Sequence, residues 1–179
     1  MDLKGKKVLV FGAGKSGIGA ADLLGSVGAQ PIIYDGNENL DKEAVLHKTN
    51  GTYTPEIWAG AFPEGEMESL DLVVLSPGVP TDLPLVKSFY EKGLPVWSEV
   101  ELAYRTGKGE VLAITGTNGK TTTTALLGKI MGDARESVFV VGNIGTAYTS
   151  KSLGMREDSV TVAEISSFQL ETIEQFRPK

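Results

Sequence analysis

Residues 111–122 read Val111-Leu112-Ala113-Ile114-Thr115-Gly116-Thr117-Asn118-Gly119-Lys120-Thr121-Thr122. A short apolar run enters a glycine-rich turn, and the turn opens into Lys120, Thr121 and the helical stretch Ala125-Leu126-Leu127. Such a turn aims several backbone N–H groups at one point, at the positive end of a helix. Lys120 adds a full positive charge, and the Thr121 hydroxyl can hold a metal ion that bridges phosphates. The stretch therefore predicts a nucleoside triphosphate site with Mg²⁺; the other reading is a plain strand–turn–helix connection whose lysine is solvated. It is not the general phosphate-loop pattern, which asks for glycine where Ile114 stands. The first glycine is Gly116, so the loop is two residues shorter.

Outward from this loop, strand-like and helix-like segments alternate. Strands are expected at 7–11, 31–34, 72–75, 94–97, 111–114, 137–141 and 159–163. Helices are expected at 16–27, 41–48, 83–92, 99–105 and 121–131, with another after Gly145 and a last one at 167–176. Runs of four or five apolar residues without alternation suit parallel strands buried on both faces. The order predicts an α/β protein with doubly wound parallel sheets. The polar run Thr106-Gly107-Lys108-Gly109 reads as a linker, with one domain over 1–98 and a second over 99–179.

The first domain has its own glycine turn. Gly12, Gly14 and Gly17 satisfy G-x-G-x-x-G between the first strand and the first helix. This turn lets a pyrophosphate approach backbone N–H groups at a helix N-terminus. Asp35, 18 residues after Gly17, ends the second strand, where an acidic residue binds a ribose hydroxyl. On this turn alone, an NAD-binding domain of Rossmann type and simple strand–helix packing are both open. The second phosphate loop favours two nucleotide sites in series, one for a substrate handle and one for an energy source.

Glu164 closes the apolar run Val160-Thr161-Val162-Ala163. In open α/β sheets ligands bind outside the carboxyl ends of the strands. A carboxylate there can complete a Mg²⁺ shell begun by Thr121, since Mg²⁺ favours one or two carboxylates plus phosphate oxygens and water. The other reading is a helix cap. Asn143, in the turn Gly142-Asn143-Ile144-Gly145, belongs to the same rim. His47 reads as a surface residue, Trp58, Phe62 and Trp97 as core or loop anchors, and 64–68 as a solvated acidic loop.

Composition excludes some classes. The chain has 179 residues and no cysteine, so disulfides and thiolate chemistry are absent. A net charge of −6 argues against a general nucleic-acid binder, whose affinity rests on Lys and Arg contacts to phosphate. No apolar run approaches a membrane span, and the N-terminus lacks the form of a signal peptide. A cytoplasmic monomer is the expectation, with no nucleic-acid or membrane partner.

Taken together, Gly116–Thr122, the Gly142–Gly145 turn and the segment Glu164-Ile165-Ser166-Ser167-Phe168-Gln169-Leu170-Glu171 resemble the Mur ligases of bacterial peptidoglycan synthesis, and within them the D-glutamate-adding branch. Folate-polyglutamate relatives share the loop but lack a Rossmann-like first domain. Muramate–alanine ligases carry His where Asn118 stands. The resemblance implies a Rossmann-like UDP-binding domain followed by the first part of a P-loop-like ATP-binding domain. It implies that Lys15, Ser16, Asp35, Gly36, Asn37 and Gly78 hold the uridine diphosphate part of UDP-N-acetylmuramoyl-L-alanine. Relatives carry arginine at the place of Asn37. It further implies that Gly116, Thr117, Asn118, Gly119, Lys120, Thr121 and Thr122 hold ATP, with Thr121 and Glu164 on Mg²⁺. Lys120 and Asn143 are then catalytic, and Asn143 and Gln169 face the muramoyl-alanine substrate or the metal. The implied reaction joins D-glutamate to the alanyl carboxylate through an acyl phosphate. Family members are longer, with a histidine motif, a carbamylated lysine and a third domain beyond this stretch. The chain as it stands is expected to be a fragment without ligase activity by itself. The rival readings are a nucleotide-sugar-binding module without chemistry and an NAD(P)-dependent oxidoreductase. A regulatory P-loop NTPase is disfavoured because no Walker-B aspartate strand is evident.

Overall fold

A computed structural model describes residues 2–143 and 145–179; Met1 and Ile144, the latter inside the expected Gly142–Gly145 turn, lie outside the described residues. The chain divides into two compact units, Met1–Glu99 and Val100–Lys179.

In the first unit the elements are β1 (Lys7–Phe11), α1 (Lys15–Ser26), β2 (Gln30–Asp35), α2 (Lys42–Lys48), β3 (Glu56–Ala59), β4 (Leu72–Leu75), α3 (Pro84–Glu91) and β5 (Val96–Ser98). All five strands pair in parallel, in the order β3-β2-β1-β4-β5. β1 and β4 are buried almost throughout, as uninterrupted apolar strands between two helical layers must be. The core joins Leu9, Phe11, Ile32, Tyr34, Val73, Leu75, Val86 and Phe89, with Phe62 edge-on to Tyr34 and Trp58. Trp97 is also buried and His47 is exposed, both as expected.

Two features of this unit depart from expectation. β3 was not foreseen. It follows Pro55, spans four residues and lies at the sheet edge, where period and length are weakest as signals. Its Trp58 Nε1 donates to Glu56 Oε1 at 2.7 Å. Within the acidic loop, Glu66–Ser69 forms a 3-10 turn. Glu66 is held there by Lys7 Nζ at 2.9 Å.

The second unit contains α4 (Glu99–Thr106, whose first residue closes the first unit), β6 (Glu110–Ile114), α5 (Lys120–Ala134), β7 (Val138–Gly142) and β8 (Val160–Glu164). Its sheet is parallel with the order β6-β8-β7, so the last strand in sequence is the middle one in space. On the other edge of β6, Lys179 N donates to Val111 O at 2.8 Å and Ala113 N donates to Lys179 O at 3.3 Å. That pair of bonds is a parallel bridge centred on Leu112. Gly109 is no loose linker: with φ +86°, a Cβ there would lie 2.3 Å from Ser159 O.

Two expected helices are absent from this unit. After Gly145 the chain makes two 3-10 turns, Tyr148–Ser150 and Ser152–Gly154. The Ser150 and Ser152 hydroxyls donate back to Ala147 O and Thr149 O, the competition that makes serine a poor helix interior. At 167–176 the start signal is present. Gln169 Oε1 accepts from Ser166 N at 2.7 Å and Ser166 Oγ accepts from Gln169 N at 3.4 Å, a capping box. The helix stops after the turn Phe168–Leu170. The N–H groups of Glu174, Gln175 and Phe176 donate instead to the carboxylate of Glu101. A side chain from α4 thus replaces the helical ladder. Among the described residues no helix is long and apolar enough to cross a membrane.

Candidate functional site

In the first unit, β1, β2 and β4 end on one rim. The strand order reverses at β1, so this rim is the crevice where ligands bind in open parallel sheets. α1 starts here with Gly14 at its N-cap and no side-chain cap, and the first turn of a helix points its backbone N–H groups out along the axis. The turn is tight. A Cβ on Gly17 would lie 1.8 Å from Gly12 O, and Ser76 Oγ donates to the same oxygen at 3.3 Å. Asp35 is occupied with building the turn: Oδ2 accepts from Ala13 N and Oδ1 from Asn37 N, both at 3.0 Å. Asn37 Oδ1 accepts from Asn39 N at 3.0 Å, so that oxygen serves its own loop. Gly36 and Gly78 have open space where a Cβ would stand, leaving the backbone approachable. Below the rim, Tyr34 Oη donates to Gly60 O, and burial, with the Asp35 charge adding to it, pushes its hydroxyl pKa up.

In the second unit β6 ends at Ile114 and the loop 115–119 leads into α5. Gly116 has φ +142° and Gly119, the N-cap, φ +78°. Both angles are costly for any other residue. Thr117, Asn118 and Thr122 are exposed. Lys120 Nζ donates to Gly116 O at 2.6 Å, holding the ammonium against the loop.

Parallel register brings Glu164 level with Ile114 on one side and Gly142 on the other. The Glu164 side chain is 2% exposed. Its Oε2 accepts from Thr121 Oγ1 at 2.8 Å, and Asn143 Nδ2 lies 3.5 Å from Oε1. Glycine is needed at 142, since a Cβ there would lie 2.1 Å from Glu164 O. The structure thus brings Thr121, Asn143 and Glu164 together at the head of the loop. Gln169 is buried, with its side-chain oxygen committed to Ser166.

Hydroxyl, carboxylate and amide oxygens are hard donors suited to Mg²⁺. No three His, Cys, Asp or Glu side chains converge among the described residues, so a Mg²⁺ here would draw its other ligands from phosphate and water. The donor set fits such an ion. Sequence reasoning missed Glu101, although its i,i+4 spacing to Arg105 was a visible signal.

Two family models match this chain: the Mur ligase MurD-like N-terminal domain over residues 6–98, and the Mur ligase middle domain over residues 114–178. The chain belongs to the Mur ligase family. It is 58% identical over 178 residues to a UDP-N-acetylmuramoylalanine--D-glutamate ligase of Lachnospira eligens, with 99% of this chain and 39% of the relative covered. It is 56% identical, with the same coverage, to the ligase of that name from Lachnoclostridium phytofermentans. Among solved structures, a murein peptide ligase from Psychrobacter arcticus shares the fold at TM-score 0.56 and 18% identity, over 97% of this chain and 42% of that one.

Proposed function

We propose that this chain is the nucleotide-handling part of an ATP-dependent ligase that adds D-glutamate to UDP-N-acetylmuramoyl-L-alanine in peptidoglycan precursor synthesis. The observation that carries the reading is the Thr121–Glu164–Asn143 cluster at the head of a G-T-N-G-K-T loop, in a chain so similar to D-glutamate ligases. In this reading the first unit takes the UDP moiety: backbone donors at Lys15 and Ser16 face the diphosphate, and the 35–37 and Gly78 turns flank the nucleoside. Gly116–Thr122 hold ATP. Mg²⁺ on Thr121 and Glu164 supplies charge neutralisation at the phosphates.

The chemistry asks little covalent work of the protein. An alanyl carboxylate oxygen attacks the γ-phosphorus of ATP, and ADP leaves. The D-glutamate amine attacks the acyl-phosphate carbonyl and loses a proton. The C–O bond to phosphate breaks, leaving an amide and inorganic phosphate. Lys120 stabilises charge spreading over the transferring phosphoryl oxygens, and the loop N–H groups hold it in line. Asn143 orients the carboxylate side of the reaction and steadies Glu164.

The chain covers about two fifths of its relatives' length, so binding is the readout here. Calorimetric titration with UDP-N-acetylmuramoyl-L-alanine is expected to show saturable binding, with no heat from NAD. NAD binding without UDP-sugar binding overturns the reading in favour of a dinucleotide domain.

A further inference from the structure

The Glu101 side chain is completely buried in α4 and belongs to neither nucleotide site. Its Oε1 accepts from Arg105 Nε at 2.5 Å and Gln175 N at 2.9 Å; its Oε2 accepts from Glu174 N at 3.0 Å and Phe176 N at 2.9 Å. Arg105 Nη2 also donates to Glu174 Oε2 at 2.6 Å. One carboxylate therefore gathers three consecutive backbone donors. Phe176 is anchored beside it, edge-on to Tyr104. Only Arg177 and Pro178 separate this clamp from Lys179, which bridges Val111 and Ala113 of β6. Pro178 has a fixed φ and holds Arg177 extended, so the link transmits position. β6 runs straight into the phosphate loop.

We propose that Glu101 is a positioning residue for the phosphate loop: its carboxylate sets the path of 174–176 and, through Arg177-Pro178-Lys179, the alignment of the strand from which the loop springs. The functional half of this inference rests on the ATP reading above; the structural half does not.

Amide hydrogen exchange on the 179-residue chain, with Mg-ATP titration, tests it. Along β6, alternate amides face opposite neighbours. Ala113 N–H faces Lys179, whereas Leu112 N–H faces β8. In Glu101→Gln, exchange at Ala113 and 174–176 is expected to rise more than tenfold, with Leu112 and Val162 unchanged and Mg-ATP bound about tenfold more weakly. Uniform loss across the second unit would make Glu101 a general stabiliser and overturn the inference, as would an unaltered Ala113. Unaltered Mg-ATP affinity with a faster Ala113 would overturn its functional half. Should Glu101→Gln not fold, Pro178→Gly decides: the clamp at 174–176 stays protected while Ala113 quickens, or Ala113 does not respond and the inference fails. A wild-type chain that takes no Mg-ATP refutes the ATP reading, and the exchange pattern still decides whether Glu101 aligns β6.

Discussion

Glu164 and Glu101 are both buried carboxylates, and they differ in what surrounds them. Glu164 meets a hydroxyl and an amide at the open end of a strand, where a cation can join it. Glu164→Gln keeps an oxygen for Thr121 but removes the charge. It is expected to make ATP binding insensitive to Mg²⁺, read by titrating ATP with and without the ion. In the proposed ATP site Lys120 is a charged donor to phosphate, and Lys120→Ala should then lower ATP affinity by about 1.5–3 kcal/mol. Around Glu101 every lone pair is occupied. Burial pushes its carboxyl pKa up, but the backbone N–H groups of 174–176 and the Arg105 guanidinium outweigh this and hold it below the ordinary 4.5. A depressed carboxyl stabilises the fold above its unfolded value, and that contribution is lost as pH falls through the lower folded value. Urea unfolding followed from pH 7 downward should therefore show an acid loss of stability that Glu101→Gln flattens. Lys120, Thr121 and Glu164 were legible because spacing within one strand or loop defines them. Of the Glu101 contacts only the i,i+4 pair with Arg105 was legible, because its backbone partners lie more than seventy residues away.

The same division runs through the elements. Strands buried on both faces announce themselves, and β1, β4 and β8 stand where their apolar runs put them. β3 is only four residues long and lies at an edge, and no local pattern marks it. The capping box at Ser166 and Gln169 is a correct local signal whose helix is cut short by a distant carboxylate. The first glycine turn was legible as a turn, and its dimensions explain its composition. Gly17→Ala would press a methyl into Gly12 O at 1.8 Å before relaxation. It should cost about 1–3 kcal/mol, as overpacking does, and abolish UDP-sugar binding while leaving ATP binding intact. Denaturant unfolding and paired titrations check both halves.

At the scale of the whole molecule, each unit carries its own core: Leu9, Ile32, Val73 and Phe89 in the first; Val111, Val141, Ala163 and Phe176 in the second. Residues 1–99 alone should therefore unfold cooperatively, with near-ultraviolet and far-ultraviolet dichroism lost in one coincident transition. The second unit leaves Leu126 and Ile130, one turn apart on α5, exposed at 59% and 53%, apolar surface of the kind that promotes association. The sheet order β6-β8-β7 has a further consequence, for the chain as it leaves the ribosome. In the first unit β1 and β2 are neighbours in both sequence and space, so pairing starts as soon as residue 35 is free. In the second, neither β6 nor β7 has a partner until residues 160–164 emerge and slide between them. For some fifty residues of synthesis the phosphate-loop strand is an unpaired apolar segment, and this is the interval in which a nascent chain most needs a chaperone.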